Sequence, residues 1–245
     1  MGRSNRSHDA PAWRVDLHTH TWHSLDSWMR PEALVAGARS AGLDRIAVTD
    51  HGTIAGALEA RALDPVRIIV GQEIRCEAHT ELIGLFLRER IPMGLSLEDA
   101  ALRIRAQGGI VYAPHPYAYS RRAGWHAARA LAVADLVEVF NSRAFLPVWN
   151  RSAALAASEQ GLPSMASSDA HFPWELGRAH TSLAPFADAA GLLAVAMNAQ
   201  PVAARTANPL IHVASVSLEC TRKASRMLGV LSLPMPSGEQ QAAGR

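Results

Sequence analysis

The stretch VDLHTHTWHSLDS, residues 15–27, ends a short apolar run on two histidines spaced two apart. Asp16, His23 and Asp26 crowd the same segment. In extended backbone, residues two apart point the same way, so His18 and His20 face one side of a strand end. The arrangement recurs along the chain. Asp50 and His51 close "AVTDHG", and Glu73 lies in "VGQEI". His115 follows "GIVYAP", and Asp169 and His171 follow "MASS". Each of these groups sits at the C-terminal end of a β-type run. In a parallel barrel those ends converge on one face, where such folds build their active sites. Glu81 opens "ELIGLFL" and fits the rule poorly, because it stands at a strand start.

Working outward, the pattern predicts strands over residues 13–17, 45–49, 66–73, 81–87, 109–113, 136–140 and 162–166. Helical patterns lie between them. "RPEALVAGARSAG" sets Pro31 at a helix start and Gly42 at its stop. "SLEDAALRIRAQGG" offers Ser96 as N-cap, with Gly108 and Gly109 as terminators. "FLPVWNRSAALAASEQG" and "ADAAGLLAVAMNAQ" read as two more. Strand and helix in alternation predict an α/β fold with parallel strands and right-handed crossovers. No internal repeat or long linker divides the chain. A single domain is expected over residues 13–215, with residues 1–12 disordered and a terminal helix and flexible tail over 216–245.

The 245 residues are 49% hydrophobic, enough for a sizeable core, and the net charge of +2 does not demand a nucleic-acid partner. Cys76 and Cys220 form neither a spaced zinc pattern nor a disulfide framework. No apolar run reaches the roughly 18 residues of a membrane helix, and no secretory h-region is visible at the start. A cytoplasmic location with no membrane and no obligate protein partner is the expectation.

Imidazoles and carboxylates without thiolates suit Zn, Mn or Fe. The candidates outnumber what one tetrahedral ion needs, which predicts two to three divalent metal ions with bridging carboxylates. Asp50 and His51 are adjacent and point oppositely, so His51 is taken as the ligand and Asp50 as a supporting or turn residue. His23 is expected to face solvent.

The sequence resembles the PHP family (polymerase and histidinol phosphatase), metal-dependent phosphoesterases on an irregular (β/α)7 TIM-like barrel. The likeness covers about residues 15–183 and rests on "DLHTHT", "SLDS", "AVTDHGTIAGAL", "GQEI", "QGGIVYAPHPY", "VEVFNSR" and "ASSDAHFPWELGRAHT" in that order. It implies metal-ligand roles for His18, His20, Asp26, His51, Glu73, His115, Asp169 and His171, with Glu73 bridging. Many relatives carry a histidine where this chain has Glu81, so Glu81 is expected to ligate, with His79 as the fallback. The activity implied is hydrolysis of a phosphate ester by metal-activated water, on a small phosphorylated substrate or a nucleotide or oligonucleotide end. Arg143 is expected to bind phosphate and assist catalysis, Arg178 to bind substrate, and His180 to protonate the leaving oxygen.

Two other readings compete. Amidohydrolases also open on His-x-His, but many bridge their metals with a carboxylated lysine inside the barrel. The only lysine here is Lys223, far past the last barrel strand. A non-catalytic PHP-like subunit of a nucleic-acid machine would show gaps in the ligand set and a strong basic patch, and this sequence shows neither.

Overall fold

The computed structural model describes residues 12–118, 123–203, 206, 215–218, 220–222 and 224. The expected disorder of residues 1–11, most of the expected tail, and Lys223 fall outside them. Those residues of the expected terminal helix that are described, 216–218, 220–222 and 224, are helical, and so is Ser215 before them.

Nine strands form one sheet in the order β7-β6-β5-β4-β3-β2-β1-β8-β9. They are β1 (Trp13–Asp16), β2 (Arg45–Val48), β3 (Ile68–Arg75), β4 (Glu81–Leu85), β5 (Ile110–Ala113), β6 (Leu136–Asn141), β7 (Ser164–Ser167), β8 (Ala179–Leu183) and β9 (Gln200–Ala203). The helices are α1 (Pro31–Ser40), α2 (Ala55–Leu63), α3 (Leu97–Ala106), α4 (Ala123–Val133), α5 (Pro147–Gln160) and α6 (Ala189–Ala196). Local chemistry sets the helix ends as the sequence predicts. Pro31 and Pro147 occupy first turns, where the missing N–H costs nothing. Ser96 accepts the Asp99 amide at 3.0 Å.

The sheet curls into a nearly closed barrel. Residues beyond β1 and β7 close the seam through a parallel bridge between Thr19 and Ala170. Asp16 reinforces it by accepting the Ser168 amide at 3.1 Å and the Ser168 hydroxyl at 2.5 Å. Side chains alternate across the strands into two apolar layers. Val15, Ala47, Ile69, Ile83, Tyr112, Leu136 and Met165 fill the interior. Ile46, Val48, Val70, Leu82, Val111 and Val137 pack outward against the helices.

The expectation of parallel strands throughout is corrected at one place. β4 runs antiparallel to both β3 and β5. Only residues 76–80 join β3 to β4, and a parallel crossover needs a dozen or more. β8 and β9, which the pattern did not predict, add antiparallel beyond β1.

Candidate metal centre

Reversing β4 puts its first residue at the rim formed by the C-terminal ends of the parallel strands. Glu81 pairs in register with Arg75, and Ile83 pairs with Glu73. Glu81 shares a face with Ile83 and Leu85, both of the barrel interior. Its place at a strand start is therefore what brings it to the mouth. His20, Asp26, His51, Glu73, Glu81, His115, Arg143, Asp169, His171, Ser215 and Val216 line one pocket there.

Four atoms at the floor form a compact polyhedron. His18 Nε2 lies 3.0 Å from His20 Nε2. Glu73 Oε2 lies 3.5 and 3.4 Å from the two nitrogens, and Asp169 Oδ1 lies 3.5 and 3.3 Å from them. Ligands about 2.0–2.1 Å from a tetrahedral zinc ion stand about 3.3 Å apart. The spacing of the His18, His20 and Glu73 donors fits one ion, with Asp169 Oδ1 beside both imidazoles.

The outer ring nitrogens fix the tautomers. His18 Nδ1 is 3.2 Å from Glu138 Oε1. His20 Nδ1 is 3.1 Å from Ser24 Oγ, whose own hydrogen goes to Asp50 Oδ1 at 2.9 Å. His171 Nδ1 is 2.8 Å from the Asp169 carbonyl oxygen. Each Nδ1 thus has an acceptor, and each Nε2 is turned inward. His18 Nε2 and His20 Nε2, 3.0 Å apart, need a shared proton or a cation between them.

A second group adjoins the first through Glu73. Asp26 Oδ2 lies 3.0 Å from His171 Nε2 and 3.3 Å from His51 Nε2. His51 Nδ1 lies 3.1 Å from Glu73 Oε2, and His115 Nε2 lies 3.3 Å from Glu73 Oε1. His51, Glu73 and Glu81 offer donor atoms close enough for one ion. The buried oxygens Asp26 Oδ1 and Asp169 Oδ1 accept no hydrogen bond among the described residues, as expected of carboxylates that face a cation.

Charge tells the same story. Burial disfavours a proton on His51 and His115, but Glu73 and Asp26 together outweigh it at His51, and Glu73 with Glu81 and Glu138 does so at His115. Their pKa values rise to about 10 and about 9. Burial would raise Glu73 and Asp169, yet His51 and His18 beside the first, and His18 beside the second, hold both well below the usual carboxylate range. His20, desolvated and next to His171 and His51, falls to about 4. Burial and the nearby Glu73 push Glu81 upward. The carboxylates draw positive charge into the pocket.

Backbone geometry supports the arrangement. His115 and Asp169 hold positive φ, 25° and 53°, conformations that non-glycine residues keep only where the surroundings dictate them. A Cβ on Gly56 would strike Asp50 and Thr21 side chains, so glycine there lets α2 begin against the Asp50 network.

The structure brings together His18, His20, Asp26, His51, Glu73, Glu81, His115, Asp169 and His171. It leaves the fallback out: His79 is exposed on the turn after β3, with φ of 59°. Arg143 reaches the pocket, buried, with Nη1 3.5 Å from Glu175 and Nη2 donating to Ser215 at 2.9 Å. Arg178 and His180 are not brought in. Arg178 is held to the Trp174 carbonyl oxygen at 3.2 Å. His180 lies in β8 between Ala179 and Thr181, and Thr181 holds the barrel side through Ala166. The imidazole thus faces the other side of the sheet, where burial and then Arg14 lower its pKa. His23, expected in solvent, is mostly enclosed and pairs with Glu59 at 3.2 Å. Asp50 takes the supporting place expected of it, accepting from Thr21 N, Thr21 Oγ1 and Ser24 Oγ.

Sequence reading missed Glu138. This fully enclosed carboxylate accepts the His115 amide at 2.7 Å and Asn141 Nδ2 at 2.9 Å while holding His18. Its signal was present: it shares the interior face of β6 with Leu136, where a carboxylate without partners would be costly.

The PHP domain family pattern matches residues 16–168, and the PHP-associated pattern matches residues 147–200. Protein MJ1587 of Methanocaldococcus jannaschii is 38% identical over 142 residues, covering 53% of this chain and 82% of its own. Protein MJ0417 of the same organism is 34% identical over 173 residues, 68% of this chain and 69% of its own. Among solved structures, the chain resembles a two-domain Bacteroides vulgatus protein containing a predicted PHP-like metal-dependent phosphoesterase. The TM-score is 0.66 at 19% identity, over 82% of this chain and 70% of that one. It also resembles the lesion-specific endonuclease PfuEndoQ from Pyrococcus furiosus, with TM-score 0.56 at 15% identity over 78% and 58% of the two chains. At these identities the two structures speak for the fold. With more than half of the chain matched, its histidines and acids gathered at one barrel mouth, the protein belongs to the PHP domain family.

Proposed function

We infer that the chain is a metal-dependent hydrolase of phosphate esters, working with two to three divalent ions of Zn, Mn or Fe. The observation that supports it most is the His18, His20 and Glu73 donor group, with Asp169 Oδ1 3.3–3.5 Å from both imidazole nitrogens. Bound ions would supply a water of lowered pKa and would offset charge on the phosphoryl oxygens. The residues do the rest. Glu73, reached from both histidine groups, joins the two halves of the site. The Arg143 guanidinium, steadied by Glu175 and Ser215, holds a phosphate oxygen. Glu138, Ser24 and the Asp169 carbonyl keep the histidines turned inward. His180 has no approach to the leaving oxygen.

The substrates this reading covers are small phosphomonoesters and nucleotide or oligonucleotide ends. PfuEndoQ's endonuclease character adds the nucleic-acid case for testing. The reading is tested by stripping the protein with chelator, restoring Zn, Mn or Fe separately, and screening phosphomonoesters, phosphodiesters and short oligonucleotides. Metal-dependent release of phosphate or of a nucleotide is expected. Less than about one bound ion, with no hydrolysis under any metal, overturns it.

A further inference from the structure

Residues 215–222 lie beyond both family matches, which end at 168 and 200. Yet Ser215, Val216 and Arg222 reach the mouth of the barrel. Ser215 and Val216 line the pocket. Seven positions after Ser215, Arg222 crosses to the loop that carries Asp26. Its Nη1 donates to three backbone carbonyl oxygens, those of Ser24 at 3.2 Å, Leu25 at 3.3 Å and Ser27 at 2.7 Å. These carbonyls flank Asp26 on both sides. The guanidinium also lies 5.6 Å from the centroid of the Trp28 ring.

We propose that Arg222 is a positioning residue for the metal centre: by gathering the three carbonyls around Asp26, it fixes the loop so that the Asp26 carboxylate meets His51 and His171. The inference rests on the metal-dependent reading above. The loop needs such a tie. The segment 21–30 between β1 and α1 holds no helix or strand, and Asp26 is its metal-facing residue. Ser27 anchors one end, donating to the carbonyl oxygens of His20 at 3.1 Å and His171 at 2.8 Å. Arg222 supplies the outer tie. A cation beside three carbonyl dipoles also offsets the negative potential that they add near a carboxylate.

The roles of the two ion groups make the proposal specific. His18 and Asp169 are held from β6 by Glu138 and Asn141, and His20 is held by the Ser24 hydroxyl. Glu138 and Asn141 do not touch Arg222 in the contacts above; Ser24 does, through its carbonyl oxygen, but its hydroxyl, which meets His20, is held separately by Asp50. Losing Arg222 should therefore loosen the group containing Asp26 and spare the floor group.

The test is calorimetric titration of Mn2+ into chelator-stripped full-length protein, wild type beside Arg222→Ala, Arg222→Lys and Asp26→Asn. The expected result for Arg222→Ala is one Mn2+ site weakened about tenfold or more, another unchanged, and a profile that matches Asp26→Asn. Arg222→Lys, which retains a cationic donor, should recover part of the loss. The melting temperature of the stripped protein separates this from a general loss of structure. It should be nearly the same for wild type and Arg222→Ala. Unchanged affinity at every site overturns the proposal, as does equal weakening of all sites with a lower melting temperature in the stripped protein. If Arg222→Ala does not fold, Arg222→Lys against Asp26→Asn decides it by the same criterion. A wild-type protein that binds no Mn2+ counts against the metal-dependent reading itself and so is told apart from failure of the tie.

Discussion

Glu138 Oε1 lies 3.2 Å from Nδ1 of His18, with both side chains fully enclosed. The contact joins β6 to the end of β1 and settles which nitrogen of His18 faces the pocket. A neutral amide at this position keeps the shape and removes the charge that favours the Nδ1 proton. Glu138→Gln should weaken metal affinity by about 10- to 100-fold while the far-ultraviolet spectrum stays the same. Chelator competition measures it, and an unaltered dissociation constant would refute the role.

Glu73 is approached by four histidines, His18, His20, His51 and His115. An amide there offers one weak acceptor and turns a donor toward the cations. Glu73→Gln should lower turnover by more than tenfold, a loss of over ~1.4 kcal/mol of transition-state stabilisation. Retaining more than about a tenth of the wild-type rate on any substrate found by screening would exclude bridging.

Glu81 and His79 make a paired comparison. Glu81 lines the pocket, whereas His79 stands exposed on the adjoining turn. Glu81→Ala should lose one ion and most of the rate. His79→Ala should leave both metal content and rate as they were, with stability within about 0.5 kcal/mol. Elemental analysis of the two variants side by side is the check, and equal metal counts would remove Glu81 from the ligand set.

Burial, with Glu81 nearby, pushes the Cys76 thiol up to about 12, whereas Cys220 is exposed. The thiolate is the reactive form. A thiol reagent near pH 8 should therefore label one cysteine in the folded protein and two in denaturant. Fast labelling of both without denaturant would show that the β3–β4 turn opens readily.

The seven barrel strands were legible because each is an apolar run bounded by turn residues. Their ends were legible because His18, Asp169 and their neighbours follow such runs. The direction of β4 was not, since an apolar run reads alike either way. The five residues between Arg75 and Glu81 held the answer, being too few to cross back. Glu81 looked misplaced for that reason alone. β8 and β9 are five and four residues long, with Thr181, Ser182 and Gln200 diluting the apolar signal. His180 was drawn toward the site by closeness in sequence to His171. Strand alternation, which sends Thr181 to Ala166, turns it away. Arg222 had no signal at all, because its partners are backbone carbonyl oxygens nearly 200 positions earlier.

The Thr19–Ala170 bridge closes the barrel between chain segments about 150 residues apart. Contacts of such separation are slow to form, because the intervening chain must first be ordered. The candidate ligands straddle this seam, with His18 and His20 beyond β1 on one lip and Asp169 and His171 beyond β7 on the other. An ion bound there is a rivet across the last joint of the barrel, and its binding energy adds to the stability of the closed form. If the joint closes after the rate-limiting step of folding, the rivet acts on the way out rather than on the way in. Chelator should then speed unfolding several-fold in denaturant-jump kinetics and leave the refolding rate nearly the same. The reverse pattern would mean that the two lips meet early.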